Sequence, residues 1–79
     1  MGKPRDRMVY QRDDGSWANK REDATRPSST HRTQREAIDA ARGMLQNQGG
    51  GELTIKGRDG LIRDKDTISP GNDPFPPRG

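Results

Sequence analysis

The chain is predicted to fold as an α+β domain, and three stretches carry that prediction. Residues 33–51, T-Q-R-E-A-I-D-A-A-R-G-M-L-Q-N-Q-G-G-G, hold the clearest helical signature. Before it, R-M-V-Y-Q-R and S-W-A-N-K-R flank the turn D-D-G; after it, E-L-T-I-K and L-I-R-D-K-D flank the turn G-R-D-G. The order is therefore hairpin, helix, hairpin, or ββαββ. The economical arrangement is an antiparallel sheet of about four strands with the helix packed on one face.

The helix is the element on which the rest packs. Thr33 and Glu36 have the spacing of a capping box, in which the threonine hydroxyl accepts from the amide of residue 36 and the glutamate reaches back to the amide of Thr33. Ala37, Ile38, Ala41, Met44 and Leu45 then recur at helical spacing and form one apolar stripe. Gly49 to Gly51 supply a left-handed stop.

In the first hairpin, Arg7 to Arg12 has a β-branched and aromatic centre between polar ends, which suits a short strand. Asp13-Asp14-Gly15 fits a three-residue loop with Gly15 in the left-handed region, and Ser16 to Arg21 returns. That loop length puts Val9 and Trp17 on one face and Met8, Tyr10 and Ala18 on the other. A two-residue loop would slip the register and exchange the faces. The first alternative lets Trp17, the largest apolar group, cover the helix stripe.

Residues 22–32 carry Pro27, Ser28, Ser29, Thr30 and the single histidine, and read as a loop with a short extended edge near Ser28 to His31. Glu52 to Lys56 alternates, with Leu53 and Ile55 on one face and Glu52, Thr54 and Lys56 on the other. Leu61 to Asp66 starts as a strand and turns purely charged. From Thr67 onward the chain has four prolines and reads as extended or polyproline-like. The organisation is a flexible arm over residues 1–6, one ββαββ domain over 7–67 and a Pro-rich tail over 68–79.

Composition bounds the function. Of 79 residues, 24% are apolar and 34% charged, so any core is thin and shared apolar surface in a homodimer would help it. There is no cysteine, which excludes disulfides and thiolate metal sites. The basic start M-G-K-P-R-D-R leads into no apolar run, so no signal peptide, membrane span or myristoyl anchor is expected, and a cytoplasmic location is the default reading.

The segments D-G-S-W-A-N-K, T-Q-R-E-A-I-D-A-A-R, E-L-T-I-K-G-R-D-G-L-I-R-D-K-D and N-D-P-F-P-P-R-G, in that order, resemble a small bacterial family, DUF2188, a domain of unknown function. The resemblance runs from Met8 to Gly79, and its most specific parts are the G-R-D-G turn and the D-P-F-P-P ending. It implies a ββαββ-type bacterial domain and brings no activity or catalytic residues to carry over. Two positions depart from the pattern: Asn19 stands where an apolar strand residue is expected, and Ile68-Ser69-Pro70 where members tend to show an aromatic before the glycine.

Catalysis has few candidates. His31 is a conceivable base, with Asp13, Asp14 or Asp39 to orient it, but its place in a loop ahead of the helix reads more simply as solvent-exposed. Asp59, Asp64 and Asp66 lack the spacing of a calcium loop, and Arg58, Arg63 and Lys65 are interleaved to neutralise them. The glycine run 49–51 has no following helix or Lys-Ser/Thr pair, so it is a helix stop and not a phosphate loop. The expectation is a non-catalytic domain with no cofactor, no metal and no small-molecule substrate.

Two binding functions remain. The first is a protein-interaction or self-association module, using the apolar patch of Met8, Tyr10 and Ala18, the strand edges, or Phe75 in a P-F-P-P tail. Phe75 folding back onto this domain's own core is the competing expectation. The second is a nucleic-acid module, suggested by 15 Lys+Arg and a pI near 9.8. Its basic sheet face would carry Tyr10, Arg12, Lys20 and Arg21. Against it stand 12 acidic residues mixed among the basic ones. The interaction module is the preferred expectation.

Overall fold

In a computed structural model, residues 6–69 are described. Five strands and one helix follow in the order β1 (Arg7–Gln11), β2 (Trp17–Arg21), β3 (Ser29–His31), α1 (Gln34–Asn47), β4 (Gly51–Lys56) and β5 (Ile62–Ile68). They form one five-stranded sheet in the order β3-β2-β1-β4-β5. The α+β class and the single packed helix stand as expected, but the sheet of four antiparallel strands is corrected on two counts. Ser29–His31 pairs antiparallel with β2 and is a fifth strand. The sheet is also mixed, because β4 runs parallel to β1 (Arg7↔Leu53, Val9↔Ile55). The physical reason is the crossover: α1 carries the chain back across the sheet, so β4 enters in the same direction as β1.

The first hairpin has the three-residue loop. Arg12 N donates to Ser16 O (2.7 Å), Gly15 N donates to Arg12 O (3.0 Å), and Gly15 has φ +90°. The register Val9↔Asn19 and Gln11↔Trp17 puts Val9 and Trp17 on the helix face. There they join Ala37, Ala41, Leu45, Leu53, Ile55 and Ile68 in one core, with Ile38 packed against it. Ile68, the first residue assigned to the tail, is the last of β5 and lies in that core. Phe75 and the remainder of the tail lie outside the described residues, as do residues 1–5.

The helix begins and ends as its residues dictate, with one change. Thr33 Oγ1 accepts from the Glu36 amide (3.1 Å), but the Glu36 carboxylate accepts from the amide of Arg32 (3.3 Å) and not from that of Thr33. At the far end Gly49 and Gly50 take φ +95° and +93°, and Gly50 N returns to Leu45 O (2.6 Å).

Asn19 is fully buried in the middle of β2, and the sheet explains it. Its neighbour on the helix face is Arg7, whose Nη1 donates to Asn19 Oδ1 (3.2 Å) and to Ser28 Oγ (2.9 Å). Asn19 Nδ2 in turn donates to Ser29 Oγ (3.2 Å) and approaches Met44 Sδ (3.3 Å) in the last turn of α1. Arg7 is buried, and desolvation, with the Arg21 charge beside it, holds its pKa below the ordinary arginine value. No carboxylate joins this network among the described hydrogen bonds. The network lies under the last turn of α1, which has no basic residue.

Candidate functional site

The face of the sheet away from α1 carries a mixed set of polar, charged and apolar side chains. Residues opposite one another across strands share a face. Met8 pairs with Lys20 and with Thr54, and Tyr10 pairs with Ala18. Thr54 pairs with Lys65, Lys56 with Ile62, and Ala18 with Thr30. These residues, with Glu52 and its partner Thr67, therefore make up the open face. The acidic residues of β5 go the other way: Asp64 pairs with Ile55 and Asp66 with Leu53, which places both on the helix side. There Arg42 Nη2 donates to Asp66 Oδ2 (2.7 Å), linking α1 to β5. The run R-D-K-D, mixed in sequence, is thus sorted by the strand's period of two.

On the open face a groove of about 320 Å³ runs beside Met8, Tyr10, Gln11, Lys20, Lys56, Arg58 and Gly60. It holds three cations and one aromatic ring and no carboxylate. Lys20 Nζ donates to Ala24 O (2.8 Å), which fixes that ammonium at the rim of β2. Met8 and Tyr10 are half-buried and Ala18 is fully buried, so the expected apolar patch is narrow and bordered by lysines.

The residues expected on one basic face are divided by the structure. Tyr10 and Lys20 come together in the groove. Arg12 is exposed at the β1–β2 loop. Arg21, adjacent to Lys20 in an extended strand, necessarily points to the other face, opposite Arg7. Its guanidinium is engaged there by Asp23, donating from Nη2 (2.9 Å) and Nε (3.1 Å). Those hydrogen bonds hold the Asp23 carboxyl below its ordinary pKa and raise that of Arg21. Lys56, Arg58 and Lys65 were not among the expected surface residues. The alternation of E-L-T-I-K already placed Lys56 opposite Leu53 and Ile55, and that signal would have found it.

The candidates for chemistry disperse. His31 Nε2 lies 2.7 Å from Ser29 Oγ, and no carboxylate hydrogen-bonds to it among the described residues. Asp59 accepts from the Leu61 amide (3.0 Å) and Asp64 from the Lys65 amide (2.9 Å). Among the described residues no three His, Cys, Asp or Glu side chains gather to hold a metal ion, and no helix is long and apolar enough to cross a membrane.

A family model described as "Uncharacterized protein conserved in bacteria (DUF2188)" matches residues 7–68, which is the whole of the sheet and helix. The chain belongs to that family. No curated protein and no solved structure matches it. For this DUF2188 domain the shared segment therefore runs from the buried Arg7 of β1 to the buried Ile68 of β5.

Proposed function

We propose that this domain is a non-catalytic binding module whose working surface is the open sheet face, and that its partner is a single nucleic-acid strand. The observation that supports this most is the sorting of charge. The two aspartates that alternate with basic residues in β5 turn to the helix side, and in the groove Tyr10 remains with Lys20, Lys56 and Arg58. An aromatic ring offers a stacking platform for any base, and the ammonium and guanidinium groups meet phosphates. The edges of the sheet favour this over strand addition. β3 has three residues, and β5 presents alternating charges that discourage edge pairing.

The test is fluorescence anisotropy of a mixed-sequence single-stranded oligonucleotide titrated with the protein at several salt concentrations. With Lys20, Lys56, Arg58 and Lys65 each meeting a phosphate, log K should fall against log[salt] with a slope of about −3. Tyr10→Ala should weaken binding by about 1–3 kcal/mol. Absence of binding at low salt, or binding indifferent to both salt and Tyr10, would reject the reading.

One feature favours a second reading, a protein partner or a second copy of this chain. Leu61 and Ile62 are apolar yet 67% and 56% exposed, next to Gly60 at the end of the groove. Sedimentation at rising concentration decides for or against the copy: a monomer mass throughout removes it.

A further inference from the structure

The turn between β4 and β5 has a second concavity on its helix side, a cavity of about 420 Å³. Its walls bring Arg32, Arg58 and Arg63 together around Trp17, Gly57 and Gln34. None of these arginines takes part in an ion pair among the described residues, where the pairs are Arg21–Asp23 and Arg42–Asp66. The wall's carboxylate, Asp59, is occupied by the Leu61 amide. An excess of positive charge is thereby concentrated in a concave site.

Several features build this arrangement. The pairing of β4 with β5 shifts between Ile55 and Lys56, leaving Arg63 as the extra residue of a bulge. Bulges re-aim a side chain in this way. Gly57 then makes room for it: a Cβ there would stand 2.6 Å from Arg63 Cδ and 3.0 Å from Cγ. Gly57 is not among the glycines with positive φ, so it is the space and not the backbone that calls for glycine. Gln34 Nε2 donates to Lys56 O (3.1 Å) and ties the start of α1 to the end of β4, so the positive end of a 14-residue helix borders the cavity. The cavity thus lies between the start of α1 and the turn that follows β4.

We propose that this cavity is an oxyanion site that takes the phosphate of a phosphate monoester, with Arg32, Arg58 and Arg63 as its guanidinium partners. The planar fork of arginine matches phosphate oxygens in pairs, which a lysine cannot do. Two sources carry that chemistry: a small phosphorylated molecule, or the terminal phosphate of a strand lying on the open face, because Arg58 borders both concavities. The site stands on its own arginines and does not depend on the nucleic-acid reading.

The experiment is a ¹⁵N–¹H correlation spectrum of the full chain at low salt. The titrants are inorganic phosphate, a 5′-mononucleotide, and one oligonucleotide with and without a 5′-phosphate. Saturable shifts are expected at the amides of Gln34, Gly57 and Arg58 and at the Trp17 indole. Arg63→Ala should weaken the interaction about tenfold or more while the spectrum stays dispersed. Gly57→Ala should weaken it with every arginine still present, which separates positioning from net charge. Saturation by the mononucleotide identifies a free ligand, and saturation only by the phosphorylated oligonucleotide identifies a strand end; either result upholds the site. Shifts that grow without saturating, or that are equal in the parent and Arg63→Ala, overturn it. The unphosphorylated oligonucleotide reports on the open face alone, so the two readings fail separately.

Discussion

On the helix face of the sheet Arg7 and Asn19 are polar and buried, whereas Lys20 and Lys56, each next in chain to a helix-face residue, line a groove open to solvent. The first pair is held in a buried hydrogen-bond network under the end of α1, in which Arg7 Nε alone has no partner among the described residues. The second lines a concavity that faces solvent. The difference teaches that burial, more than residue type, separates the polar groups that hold the fold from those able to bind. A count of basic residues merges the two, since Arg7 and Lys20 enter it equally.

The largest expected effect lies on the helix face. Leu45→Ala removes a fully buried side chain from the centre of the core, and chemical denaturation should show a loss of about 2–5 kcal/mol. In a domain with so thin a core, that loss is enough to populate the unfolded state at room temperature, visible as collapsed chemical-shift dispersion.

The next substitutions test the buried network. Asn19→Ala leaves the buried Arg7 Nη1 without its Asn19 acceptor, and should cost about 1–3 kcal/mol. Arg7→Met removes the buried charge and its desolvation cost but leaves Asn19 Oδ1 without its donor, so its loss should be no larger than that of Asn19→Ala. If Arg7→Met proves the more damaging, the guanidinium is a stabilising centre in its own right.

Tyr10→Ala on the open face should cost about 1 kcal/mol or less, the span of strand propensity, while binding suffers. A loss as large as that of Leu45→Ala would make Tyr10 part of the core and break the comparison. The smallest effect belongs to neither face. Asp14 sits in the β1–β2 loop, where the Ser16 hydroxyl (2.6 Å) and amide (2.9 Å) hold its carboxyl below the ordinary pKa. A depressed folded pKa means that this contribution is present above about pH 4 and is lost as pH falls through the folded value. An NMR titration of the Asp14 carboxyl should show the lowered midpoint, and Ser16→Ala should move it back up.

Local chemistry was legible in the sequence. The D-D-G loop set the register that buries Trp17, Thr33 capped the helix, and the glycine run ended it, because each depends only on near neighbours in the chain. The same segments carried the family resemblance. What escaped was non-local. Nothing near Leu53 says that its partner is Arg7, so the parallel seam could not be read. Asn19 looked misplaced in a strand because its partners, Arg7, Ser29 and Met44, arrive from β1, β3 and α1. Lys20 and Arg21 were grouped by proximity in sequence, which in a strand is the surest sign of opposite faces. The open groove was half legible: Tyr10 and Lys20 were expected there, and Lys56 and Arg58 come from the other hairpin.

The parallel seam between β1 and β4 also has an expected consequence for the order of assembly. Each hairpin closes over a short loop, an event of about 1–10 μs. The seam joins chain positions such as Asp6 and Glu52, 46 residues apart, and must wait for a long loop closed by the helix. Each hairpin reaches that step with an unpaired inner edge, β1 on one and β4 on the other. During synthesis the first hairpin and the helix leave the ribosome before the strand that completes the middle of the sheet. The last gap to close is then at the centre of the sheet and not at its rim.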